Sequence, residues 1–147
     1  MSLKEQLNES MKTAMKARDN LRLSAVRMVR SAIKNREIDS RTEMDDKGIV
    51  EVISTLVKQR RESIRMYQEG NRADLVQQEE AELAVLMEFL PTQLTAEEIN
   101  EIIDRIILET GAQGAKDMGK VMKVITPLTA GKADGKAVSD AVKLKLA

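Results

Sequence analysis

The 147-residue chain has no cysteine, no histidine and no tryptophan, and its only aromatic side chains are Tyr67 and Phe89. Each absence removes a class of chemistry. Without thiols and imidazoles there is no disulfide framework, zinc site, thiol nucleophile or imidazole base. Two aromatic rings offer almost no platform for stacking nucleobases or flat ligands. No run approaches the roughly 20 apolar residues that span a bilayer. The opening residues, Met1 to Leu7, lack the unbroken apolar segment of a signal peptide, and Glu5 and Glu9 do not suit a transit peptide. A soluble, cytoplasmic chain without membrane contact is therefore expected.

What remains is 42% hydrophobic and 33% charged, enough apolar material for a core and too much for a disordered chain. The apolar residues recur with helical period almost throughout, and no stretch alternates long enough for a strand. Ser2-Leu3-Lys4-Glu5 is a capping box that opens a first helix on Leu3, Leu7, Met11, Ala14 and Met15. Asp19 or Asn20 caps a second, on Leu21, Ala25, Val26, Met28, Val29, Ala32 and Ile33. After a polar connector over 39–46, a third helix is predicted over 47–69, ended by Gly70-Asn71, and a fourth over 72–90.

Pro91 forces the residue before it out of helical geometry, which makes Leu90-Pro91 the natural seam. Thr95-Ala96-Glu97-Glu98 is a second capping box, starting a helix on Ile99, Ile102, Ile103, Ile106 and Ile107 that closes at Gly111 to Gly114. A sixth helix over 115–128 is weakened by Gly119 and bent or ended by Pro127; Asp134 caps a seventh on Ala137, Val138, Ala141 and Val142. The expected architecture is all-α in two subdomains: a larger helical bundle over 1–90 and a small three-helix domain over 91–147.

The 24 bases and 24 acids cancel, but they are segregated. Residues 1–36 carry nine bases and three acids, 73–90 five acids and no base, and 111–147 seven lysines and three aspartates. Arg27, Arg30 and Lys34 share one helical face, as do Lys58, Arg61 and Arg65. Such faces either meet the acidic segments of the same domain, stay solvated, or receive an anionic partner.

A catalytic constellation is missing. Glu79-Glu80 and Asp45-Asp46 are adjacent and read as solvated acids, with no apolar setting to tune them. A Ser31–Lys34 or Ser31–Arg27 pairing carries no mark of desolvation. There is no Walker loop or dinucleotide fingerprint. The acids at Asp39, Glu43, Asp45 and Asp46 lack the spacing and glycine of a calcium loop. No cofactor, metal or catalytic residue is expected.

The informative segment is Lys116-Asp117-Met118-Gly119-Lys120-Val121-Met122, followed by Gly131-Lys132-Ala133-Asp134-Gly135-Lys136. Gly119 disfavours a helix and so suggests a close approach by another helix or a ligand. Asp117 can act as a helix cap. Gly131 and Gly135 flank Asp134 and leave backbone N–H groups and two lysines near a helix start, an arrangement that can receive phosphate. Turn chemistry alone explains the same residues: glycines for the corner, Asp134 for the cap, lysines for solubility.

These two motifs, with Glu88-Phe89-Leu90-Pro91-Thr92-Gln93-Leu94-Thr95, resemble the GatB/YqeY family, whose junction reads E-x-L-P-x-Q-L-S/T. Leu23-Ser24-Ala25-Val26-Arg27-Met28-Val29 and Lys58-Gln59-Arg60-Arg61-Glu62-Ser63 look like the two helical signatures of YqeY-like proteins. The last third resembles the tail domain of the B subunit of tRNA-dependent amidotransferase, which helps hold tRNA while the chemistry proceeds elsewhere. The resemblance implies a non-catalytic tRNA- or RNA-binding accessory, with Lys116, Lys120, Lys132 and Lys136 as RNA contacts and Gly119, Gly131 and Gly135 shaping the backbone. It implies as partners an aminoacyl-tRNA synthetase or an amidotransferase component. Leu128 and Ala130 stand where relatives often carry bases, and Lys123 where a glycine is common. Two other readings are a helical protein-interaction adaptor and a carbon–nitrogen ligase using glutamine as amide donor, a family label that would be inherited from the larger subunit.

Overall fold

The computed structural model describes residues 1–147, and its regular structure is entirely helical. Seven α-helices follow in order: α1 (Leu3–Ala17), α2 (Asn20–Ser40), α3 (Asp46–Glu69), α4 (Ala73–Met87), α5 (Ala96–Thr110), α6 (Met118–Thr129) and α7 (Gly135–Leu146). A single 3-10 turn over Ala115–Asp117 leads into α6. The chain divides into two compact units, Met1–Leu90 and Pro91–Ala147.

Local chemistry sets most helix ends. The Ser2 hydroxyl accepts the Glu5 N–H at 3.2 Å while Glu5 reaches back to the Ser2 N–H, and Thr95 and Glu98 repeat the exchange at the start of α5. The Asp19 and Asp45 carboxylates accept from Arg22 and Gly48 at 3.1 and 2.8 Å and cap α2 and α3. The end of α3 departs from expectation: Gly70 keeps an ordinary φ of −85°, and Asn71 takes the left-handed position at φ 56°. The fourth helix stops at Met87, short of the predicted end. Glu88, Phe89 and Leu90 then donate to carbonyls three residues back, tightening the chain ahead of Pro91. Pro127 does not end α6; the helix runs two residues past it to Thr129, and the proline removes only the one ladder bond its own N–H would have made.

In the first unit the apolar stripes of four helices meet. Leu7 from α1, Val26, Val29 and Ile33 from α2, Ile49, Val52, Ile53 and Val57 from α3, and Val85 and Leu86 from α4 form one core, closed by Phe89. The second unit is smaller and purely aliphatic at its centre: Ile103 and Ile106, Val121 and Ile125, and Val138, Val142 and Leu146 supply one layer from each of α5, α6 and α7.

Five ion pairs, made by four cations, join separate elements. Lys4 reaches Glu37 at 2.6 Å, and Glu37 also accepts the Met44 N–H. Those bonds, Lys4 first, hold the Glu37 carboxyl below the usual range. Arg22 grips Glu88 with both guanidinium nitrogens, which lowers the Glu88 carboxyl and raises Arg22. Lys145 pairs with Asp104 at 2.7 Å. The most enclosed is Arg60, 2.6 Å from both Glu79 and Glu82, with Glu82 among the buried residues. The expectation that Glu79 is a solvated acid fails here, because α3 carries a cation directly across from it.

Removing Arg60 leaves two enclosed carboxylates facing each other. Arg60→Ala is expected to lower unfolding free energy by about 2–3 kcal/mol, less than a fully buried pair because Arg60 is partly wetted. Adding Glu82→Gln should recover part of that loss in urea titrations; equal loss in both variants would contradict this account.

Candidate functional site

The Lys116–Lys136 segment is built on α6, the corner that follows it, and the start of α7. Lys116 lies in the 3-10 turn before α6, and Lys120 in the first turn of α6, with Lys123 on the next. Lys132 sits in the corner after Thr129, and Lys136 is the second residue of α7. Because α7 packs on α6 and also reaches the 115–117 turn, the two helices run antiparallel. Lys116 and Lys120 therefore share one end of α6, and Lys132 and Lys136 the other, roughly 14 Å apart along an axis rising 1.5 Å per residue. The four lysines form two pairs rather than one cluster.

All four are exposed, as is Lys123. The salt bridges of this unit are Arg105–Glu109 and Lys145–Asp104, so none of the five ammonium groups is taken by an internal carboxylate. Asp117 does not cap α6; its carboxylate accepts the Gln113 N–H at 2.9 Å and closes the preceding loop. Asp134 occupies the cap position of α7 without a side-chain cap bond. Both helices thus start with N–H groups that no side chain of the unit caps.

The glycines divide by role. Gly131 is at φ 75°, a left-handed corner that a side chain would strain. Gly119 and Gly135 show no positive φ, and a Cβ on either would meet nothing within 4 Å. The expected close approach of another helix to Gly119 is absent; its face opens outward beside Lys116, Lys120 and Lys123.

Sequence reasoning missed what holds the corner. The Gln93 amide donates to the Gly131 carbonyl at 2.8 Å and the Pro91 carbonyl at 2.9 Å, while the Leu94 N–H donates to the Lys132 carbonyl at 2.8 Å. The P-x-Q-L part of the junction motif is thus the clamp that fixes Lys132, a link visible only once residues 38 apart are brought together. Elsewhere, Ser31 and Lys34 are both exposed, so no enclosed nucleophile and base emerge. Neither trio of α2 or α3, Arg27, Arg30 and Lys34 or Lys58, Arg61 and Arg65, enters a salt bridge. The acidic segments of the unit pair instead with Lys4, Arg22 and Arg60.

No cluster of acids fit for a metal ion occurs, and no helix is long and apolar enough to cross a membrane.

The family model described as "Yqey-like protein" matches residues 4–146. Among curated proteins, the chain is 38% identical over 85 residues to "Altered inheritance of mitochondria protein 41, mitochondrial" of Lachancea thermotolerans, covering 57% of this chain and 46% of that one. The proteins of the same name from Eremothecium gossypii and Clavispora lusitaniae are 33% identical over 124 residues and 32% over 129. Those matches cover 82% and 84% of this chain and 68% and 74% of theirs. The chain spans about half the length of the first of these curated relatives. These relatives are named as mitochondrial proteins, which contradicts the expectation of a cytoplasmic one. That expectation rested on the lack of a membrane span and of a leader pattern, and neither reports a compartment.

The two glycines give opposite expectations. Gly119→Ala should raise stability by about 0.5 kcal/mol, since the methyl enters open space on a helix. Gly131→Ala should cost about 1 kcal/mol or more through its left-handed backbone. Thermal unfolding of both variants checks this; a destabilised Gly119→Ala would mean that its face is occupied after all.

Proposed function

The chain belongs to the YqeY-like protein family, and from that premise we propose that it is a non-catalytic RNA-binding accessory, with tRNA as the RNA. The machinery it serves is an aminoacyl-tRNA synthetase or an amidotransferase component, as the likeness of residues 91–147 to the amidotransferase tail domain implies. The observation that carries this reading is the set of exposed lysines, Lys116, Lys120, Lys132 and Lys136, all free of internal carboxylates. They flank two helix starts without side-chain caps, where backbone N–H groups add to the attraction for phosphate. Gly119 leaves the backbone bare between them and a ligand. Without stacking aromatics, recognition runs through the sugar–phosphate backbone rather than the bases. The absence of any enclosed nucleophile or base supports a carrier over an enzyme.

Four phosphate contacts make binding steeply salt-dependent: tRNA affinity of the full chain should fall on the order of a hundredfold between about 50 and 200 mM salt. Lys120→Glu or Lys132→Glu should abolish retention on a filter without changing the melting temperature. No retention of tRNA at low salt, or retention indifferent to both reversals, would defeat the reading.

A second reading, a protein-interaction adaptor, is favoured by apolar side chains left outward in the same unit. Leu108 and Leu144 are 83% and 80% exposed, and Val124 and Leu128 lie one turn apart on α6. An association that survives nuclease treatment and is lost on Leu128→Glu would favour it. Release of ammonia from glutamine by the purified chain would favour the ligase instead.

A further inference from the structure

In the first unit, α1 and α2 line an open cleft of about 590 Å³. That volume is in the range of small-molecule sites. Leu7 and Ile33, both buried, form an aliphatic floor. Arg27, Arg30 and Lys34 rise from α2 around it, with the Ser31 hydroxyl and Asn8 amide between them. Lys4 and Glu37 also line the cleft, but they satisfy each other at 2.6 Å. Their charges cancel, and three cations without a carboxylate remain. Arg30 spends one N–H on nothing stronger than the Met11 thioether. An anion is the one class of ligand that three such groups over a low-dielectric floor would select, because the apolar wall concentrates their field.

The spacing narrows the class further. Arg27, Arg30 and Lys34 follow one face of α2 over seven residues, roughly 10 Å of helix at 1.5 Å per residue. A single compact anion would meet one of them well; a linear run of anionic groups meets all three. The two guanidinium forks suit phosphate oxygens in bidentate pairs. Neither Tyr67 nor Phe89 lines the cleft, so no ring is there to read a base.

We propose that the α1–α2 cleft is a binding site for a small oligophosphate, the di- or triphosphate of an ester or the free polyanion, seated on Arg27, Arg30 and Lys34. The proposal uses none of the lysines assigned to RNA and does not depend on that assignment.

The test is a calorimetric titration of the full chain with inorganic tripolyphosphate at low ionic strength, repeated with ATP, AMP and citrate. Tripolyphosphate is expected to bind, and Arg27→Gln or Arg30→Gln to weaken it about tenfold each, the worth of one charge-assisted hydrogen bond. Lys34→Gln, on the exposed face, gives a third reading in which folding is not at risk, and circular dichroism confirms the helix content of every variant. ATP should match tripolyphosphate if the ester is the ligand and fall below it if the free polyanion is; AMP should be far weaker in either case. Lys143→Gln, at an exposed lysine outside both sites, should leave the titration unchanged. Absence of binding, affinity indifferent to all three α2 variants, citrate or AMP as tight as tripolyphosphate, or loss on Lys143→Gln would each overturn the proposal.

Discussion

In a chain with 24 bases and 24 acids, the outward field is decided by which acids find an internal partner. The pairing here is selective. Lys4 takes Glu37, Arg22 takes Glu88, and Arg60 takes Glu79 and Glu82 together, each across separate elements. These contacts absorb carboxylates at the seams of the four-helix unit and leave the basic faces of α2 and α3 unmatched. In the three-helix unit Lys145 does the same for Asp104, and its six other lysines enter no salt bridge. A neutral chain thereby acquires cationic surfaces, and the RNA and oligophosphate proposals both rest on that separation. The enclosed pairs need not be a large source of stability, since desolvation offsets much of their attraction; their consequence is which charges remain.

The sequence was legible wherever structure is set within a few residues. Both capping boxes, the Asp19 cap, the all-α class and the aliphatic stripes follow from contacts three or four positions apart, and the structure forms them. Long-range and solvent-set features were not legible. The partnership of Arg60 with Glu79 joins helices that the sequence separates by a turn, so adjacency made Glu79 look solvated. Gly119 invited a packing explanation that only the surroundings could refute. The left-handed Asn71 displaced the glycine beside it, because either residue tolerates that backbone. Of the candidate site, residue identities were readable, while their division between the two ends of α6 and the Gln93 clamp were not.

Composition constrains the chemistry as strongly as the fold does. With no imidazole, thiol or metal cluster, and with its reactive-looking Ser31 and Lys34 in the open, fixed cations and backbone donors are the polar groups the molecule's surface offers a ligand. Membership in the YqeY-like family specifies no ligand. The corner at Gly131–Lys132 gives the junction motif a structural role: Gln93 and Leu94 hold the carbonyls of Gly131 and Lys132 and so fix the corner.

Positive charge is spatially segregated in a molecule whose formal charge sums to zero. Chromatography of the native chain on phosphocellulose at pH 7.5, above its isoelectric point near 6.4, measures that directly. Retention at low salt and release by a salt gradient is the predicted result, since local cationic faces engage a polyanion that a net charge of zero would not attract. Passage straight through the column would contradict it.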